Sequence, residues 1–204
     1  MDSQKLESRF LRDIQLEAAT ISQLLSNLSL SYNIPIGIEI DPKDTENKLY
    51  RLEFKRGTVT ELLTRFVGEY QQYEWEIRDG VVNIFPKEYR RDPGSELLAT
   101  RISSFSVNSQ TSCWNLVRSL ISTPEMKRAF REKGLVHRDK PTSGFNIPHV
   151  GENFALTAFN TSLKEILNKI IRTSPSAKFW VFTADSRYQT ISLEVNARFI
   201  ESGR

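Results

Sequence analysis

Apolar and polar residues alternate along this chain with two periods, that of a strand and that of a helix, and the order in which they do so occurs twice. Ile14 and Leu16 alternate with polar neighbours, the pattern of a short strand with one buried face. Ile21, Leu24, Leu25 and Leu28 then recur at i, i+3, i+4 and i+7, one face of a helix. Thr20 stands where its N-cap belongs, with Gln23 three residues on to complete a capping box. Ile36, Ile38 and Ile40 alternate as a strand beyond Pro35, and Leu52 and Phe54 make another. Thr58 caps a second helix with the stripe Val59, Leu62, Leu63, Phe66, Val67 and Tyr70. Tyr73, Trp75 and Ile77 then alternate up to Asp79-Gly80, a tight-hairpin signal, and Val82 and Ile84 return on the other side.

The second half follows the same order. Phe105 and Val107 open it, and Ser112 caps a helix with the stripe Cys113, Leu116, Val117, Leu120 and Ile121. Phe154 and Leu156 form a strand, and Ser162 caps a helix with the stripe Leu163, Ile166, Leu167, Ile170 and Ile171. Phe179 to Thr183 and Thr190 to Val195 form a hairpin across Ala184-Asp185-Ser186-Arg187. Thr58 to Val67 can be laid on Ser162 to Ile171 with every apolar position meeting an apolar one and Glu61 meeting Glu165. Thr20 to Leu28 lies on Ser112 to Leu120 at a smaller offset, so the second copy must hold extra residues. Pro124 through Lys140 supplies them: a helix from Glu125 to Lys133 ending at Gly134, then a loop over Pro141-Thr142-Ser143-Gly144.

The pattern predicts an α+β fold of two tandem βαββαβ-type units, each a small sheet system packed with two helices around its own core. The units are expected over 1–86 and 99–204, with a linker over 87–98 and a basic helical insertion near 124–140 in the second. Pro86 to Ser95 carries two prolines, a glycine and five charges, which is why the break is placed there.

Charge sharpens the division. The net charge of +3 conceals 13 basic and 17 acidic side chains in residues 1–96 against 15 and 8 in residues 97–204. No window reaches the ~18 consecutive apolar residues of a membrane helix, so no transmembrane segment is expected, and the first eight residues hold no apolar signal-peptide core. One cysteine excludes an intramolecular disulfide, and with two histidines it argues against a structural zinc site.

Catalytic chemistry finds little support. His137 and His149 sit in loop-like stretches with no orienting acid, and Cys113 occupies the buried helical position that Ile21 holds in the first copy. Glu74 and Glu76 share the wet face of a strand, an i, i+2 pair that could serve acid/base or metal work. The loop Asp41 to Glu46 lacks calcium-loop spacing, and no glycine-rich phosphate cradle occurs. The insertion gathers Lys127, Arg128, Arg131, Lys133, Arg138 and Lys140 against three acids, which makes these six the candidate partner-binding residues. Stacking aromatics of the RNP1 kind and the KH-type GxxG clamp are both missing, so nucleic acid is the alternative partner rather than the expected one.

The run Thr58 to Leu63, preceded by Leu52-Glu53-Phe54 and followed by Tyr73 to Ile77, Asp79-Gly80 and Val82 to Phe85, resembles the secretin and TonB N-terminal (STN) short domain. Thr20 to Leu25 with Ile36 to Ile40 is similar to that family's first helix and strand. The second unit resembles it more loosely, through Ser162 to Leu167 and Phe179-Trp180-Val181. The resemblance implies a non-enzymatic protein–protein interaction module of an exported bacterial assembly, periplasmic or envelope-associated, without cofactors, and it carries over no particular binding residues. Outside that resemblance the compartment would be cytoplasmic. Terminal hairpins can leave edge strands open to a partner strand, and oppositely charged units could self-associate. The alternatives are a nucleic-acid-binding protein using residues 125–140 and an enzyme with a site between the units built on Cys113 or His137.

Overall fold

The computed structural model describes residues 3–41, 44, 48–88, 93–107, 111–138, 154–185 and 189–197. A short helix, α1 (Ser3–Glu7), precedes the first repeat, which runs β1 (Phe10–Ala18), α2 (Ile21–Tyr32), β2 (Ile36–Ile40), β3 (Tyr50–Thr58), α3 (Val59–Glu69), β4 (Tyr73–Arg78) and β5 (Val81–Pro86). Helix α4 (Pro93–Leu98) leads into β6 (Arg101–Val107), α5 (Cys113–Ile121), α6 (Pro124–Lys133), β7 (Val136–His137), β8 (Leu156–Ser162), α7 (Leu163–Thr173), β9 (Ala177–Asp185) and β10 (Thr190–Ala197). The fold is α+β.

Local sequence explains where the helices start. The Thr20 side chain accepts from the Gln23 N–H at 3.2 Å, and Ser112 accepts from that of Asn115 at 3.1 Å. Thr58 with Glu61 and Ser162 with Glu165 form reciprocal capping boxes at matching places in the two repeats. What holds the helices is burial. α2 is rich in Ser and Asn, weak helix formers, yet Ile21, Leu24, Leu25 and Leu28 are all buried. At about 1.5–3 kcal/mol for each such side chain, that face outweighs the propensity deficit. The turn Asp79-Gly80 has φ of 54° and 72°, the left-handed pair that a two-residue hairpin requires.

In the first repeat β1 and β3 form an antiparallel ribbon. α2 packs between that ribbon and β2, and α3 between β3 and β4. The second repeat has the same layers, with ribbon β6–β8 and helices α5 and α7. The three remaining strands of each repeat do not form separate sheets. They join in one six-stranded sheet of order β4-β5-β2-β9-β10-β7, in which β2 of the first repeat runs parallel to β9 of the second, Ile36 opposite Phe179 through Ile40 opposite Thr183.

The two repeats keep their order across this sheet but reverse their strand directions and their helical face. β9 serves both cores: Trp180, Phe182 and Ala184 belong to the second repeat's cluster, while Phe179 joins the first repeat's and Val181 packs against it. All five residues of β2 are buried because α2 covers one face and α7 the other. The relation between repeats is thus a half-turn about the width of the sheet plus a step along it, an open heterologous joint rather than a closed dyad.

Two sequence expectations change. The linker expected over 87–98 includes helix α4, whose Leu97 and Leu98 are 0% and 2% exposed. The segment sits where the charges thin out and two leucines enter the second core. The insertion is also more than a surface appendage, because Met126, Ala129 and Leu135 are buried and α6 packs on α4, α5 and β6. The hairpin strands at the end of the chain are longer than expected and meet over residues outside the described ones, as does the loop at 141–144.

Candidate interaction surface

The joint between repeats is closed on one face by an ionic cluster. Lys164, near the start of α7, reaches across to β2 and β4, placing its ammonium 3.0 Å from Glu39 and 3.4 Å from Glu76 and over the Phe85 ring. Beside it Arg78 of β4 pairs with Glu165 at 3.2 Å, and Arg172 donates to the Asp79 carbonyl at 3.2 Å. The acidic first repeat and the basic second one therefore meet charge to charge inside the chain. Glu39, Glu76, Arg78, Lys164 and Glu165 line a cleft of about 630 Å³ together with Arg101.

Glu39 is the one deeply buried carboxyl of the cluster. Burial pushes it above its ordinary value of 4.5 against the opposing pull of Lys164, and the Glu76 charge adds to the rise. A carboxyl raised on folding contributes most below its unfolded value, and the contribution declines as pH climbs through the folded one. The urea midpoint of Glu39→Gln should accordingly gain on that of the unaltered chain as pH rises from about 4.5, since the amide carries no charge to desolvate. Midpoints that stay parallel across the series would remove this role. Glu165 moves the other way, lowered by its hydrogen bonds to Ser162 at the cap.

The second feature is the outer edge of β4. Three other strands carry side-chain plugs on their outer backbone. The Tyr70 hydroxyl donates to the Arg51 carbonyl of β3 at 2.6 Å and accepts from the Arg51 N–H at 2.9 Å. Glu125 accepts from the Ser103 N–H of β6 at 3.0 Å, and Lys169 donates to the Thr157 carbonyl of β8 at 3.0 Å. β4 is one of the two edge strands of the large sheet, and its hairpin end is sealed where Ser3 of α1 accepts from the Gly80 N–H at 2.9 Å. The Lys87 N–H donates to the Gln72 carbonyl, so the alternation of an antiparallel ladder turns the N–H and C=O of Trp75 and Ile77 away from β5. Among the described residues no strand pairs with that side. Trp75 and Ile77 are half-buried against the first core, while Glu74, Glu76 and Arg78 point to the other face.

The residues singled out from sequence are scattered. Lys127, Arg128, Arg131 and Arg138 are exposed, Lys133 is tied to Glu96, and Lys140 lies outside the described residues. Cys113 is buried, which pushes its thiol up to about 12 and leaves it protonated at neutral pH. His137 lies in β7, far along the chain and sheet from the ionic cluster, and His149 falls outside the described residues. Among the described residues no three His, Cys, Asp or Glu side chains gather to hold a metal ion. Sequence reasoning missed Glu39 and Lys164; the signal for Glu39 was the single acid in the otherwise apolar run Ile36-Gly37-Ile38-Glu39-Ile40, and Lys164 had none. Compared with protein-family models, curated proteins and solved structures, the chain finds no match.

Proposed function

We propose that this protein is a non-enzymatic interaction module that docks an extended segment of a partner protein on the outer edge of β4. The observation that carries the reading is the outward backbone of Trp75 and Ile77, which no strand pairs among the described residues, on a sheet whose two halves are already joined strand to strand. An edge of that kind recruits a partner strand through main-chain hydrogen bonds, with neighbouring side chains setting the preference. A binding rather than catalytic role fits the protonated Cys113 thiol and the mutual pairing of Glu39, Glu76 and Lys164. The resemblance to the STN domain supports an exported, periplasmic or envelope-associated setting.

The test is a peptide-display selection on the full chain. Selected peptides should protect the Trp75 and Ile77 amides from hydrogen exchange. They should lose at least tenfold in affinity for Ile77→Pro, a substitution that deletes an outward donor and is tolerated on an edge. Peptides that protect other amides and bind Ile77→Pro unchanged would overturn the reading, and the exchange data decide even if that variant folds poorly.

A further inference from the structure

The second repeat shows what kind of strand fits beside β4. β9 is the counterpart of β4, since each follows its repeat's second capped helix and opens the terminal hairpin. Their surroundings match as well: α1 packs on α3 and β4 as α4 packs on α7 and β9. On β9 the edge away from the hairpin is filled by β2, which runs parallel to it. α1 is therefore no obstacle to a strand beside β4, because α4 holds the same place next to an edge that is occupied.

The strand that fills the β9 edge comes from the other repeat, and it has a fixed place there. Each repeat contributes three strands in the same order: the first hairpin strand, the second, then a strand parallel to the second. These are β4-β5-β2 and β9-β10-β7. The joint inside the chain sets the last strand of one repeat, β2, against the first strand of the other, β9. One strand of each kind remains at the ends of the sheet, the first strand β4 at one and the last strand β7 at the other.

Direction and charge agree with a second use of the same joint. The second repeat is reversed relative to the first, with β2 and β9 running the same way. A second copy with its β4 parallel to β7 repeats that reversal, and two reversals restore the orientation of the first copy. Residues 1–96 hold 13 basic and 17 acidic side chains, and residues 97–204 hold 15 and 8. β7 against β4 brings unlike repeats together, as the inner joint does, whereas β4 against β4 brings two acidic ones together. Val136 of β7 stands at this end of the sheet as an exposed large apolar side chain.

We propose that copies of this chain add head to tail, β7 of one pairing parallel with β4 of the next, so that the six-stranded sheet continues from molecule to molecule. The proposal rests on the docking role of β4 and names its partner. β7 spans 2 residues against the 5 of β2, so the contact between chains is weaker than the joint within one and responds to concentration. The interface is heterologous and leaves a β4 and a β7 at the ends of every assembly, so growth does not stop at two copies.

The test is sedimentation velocity of the full chain from micromolar to millimolar concentration in low salt, with hydrogen exchange read on the same samples. Dimers, trimers and larger species should appear in turn, and protection of the Trp75 and Ile77 amides should rise with them. Ile77→Pro at one end and Val136→Glu at the other should each weaken association at least tenfold. An equimolar mixture of the two variants should form a dimer and nothing larger, because one intact β7 meets one intact β4. A chain that stays monomeric at millimolar concentration overturns the proposal, as does a dimer that Val136→Glu leaves unchanged or a mixture that stays monomeric. Where a variant folds poorly, the concentration-dependent exchange of the unaltered chain decides alone. If display-selected peptides protect Trp75 and Ile77 while the chain stays monomeric, edge docking survives and the second copy falls as its partner. If nothing protects them, both fall.

Discussion

Replacing Gly37 by valine should cost about 3 kcal/mol or more, the upper range for forcing side-chain volume into a packed core. Glycine is present there for space: Cζ2 and Cε2 of Trp180 would lie 2.3 and 2.4 Å from an added Cβ. Neither side can give. β2 is hydrogen-bonded to β5 on one side and β9 on the other, and the Trp180 ring is fixed by its Nε1 donating to Asn168 Oδ1 at 2.9 Å. The variant should show a lowered urea midpoint and an altered near-ultraviolet tryptophan signal. A midpoint within about 0.5 kcal/mol of the unaltered chain, the ordinary range of surface substitutions, would show that the contact is soft.

Trp180→Ala should be at least as damaging, about 3–5 kcal/mol for the truncation of a large buried aromatic. The side chain is 0% exposed, and its loss also leaves the Asn168 carbonyl oxygen without its donor in a residue only 3% exposed. The two substitutions should not add. In the Trp180→Ala background the clash at residue 37 disappears, so Gly37→Val should cost much less there, a coupling of roughly 1–3 kcal/mol in a double-mutant cycle. Simple additivity would mean that the indole does not cover Gly37 in solution.

Within each repeat the elements were legible because local rules and burial agree. The caps at Thr20, Thr58, Ser112 and Ser162 precede apolar stripes that are buried as the periodicity requires. The hairpin at Asp79-Gly80 was equally plain. The joint was not legible. A run such as Ile36 to Ile40 states that a strand is buried, and nothing in it states that one neighbour is β5 and the other a strand from the far end of the chain. The shared role of β9 was hidden for the same reason, since apolar residues on both faces read as a strong strand whichever cores they enter. The six basic residues of the insertion stood out because charge is visible in sequence; the outward backbone at Trp75 and Ile77, unpaired with any strand among the described residues, was invisible because all residue types but proline carry the same backbone groups.

The β2–β9 joint also has a bearing on how the chain is made. Ser29 on α2 lies 3.1 Å from the carbonyl of Lys178, a residue 149 positions further on. During synthesis the first repeat emerges with β2 lacking its β9 neighbour, an edge that is apolar but for Glu39, and it stays so until nearly all of the second repeat has been translated. The waiting half is thus the vulnerable one, and the glycine that the finished protein needs for Trp180 is present from the start as the least adhesive point on that edge. The long-range β2–β9 pairing ties completion of the first repeat's sheet to the last part of the second.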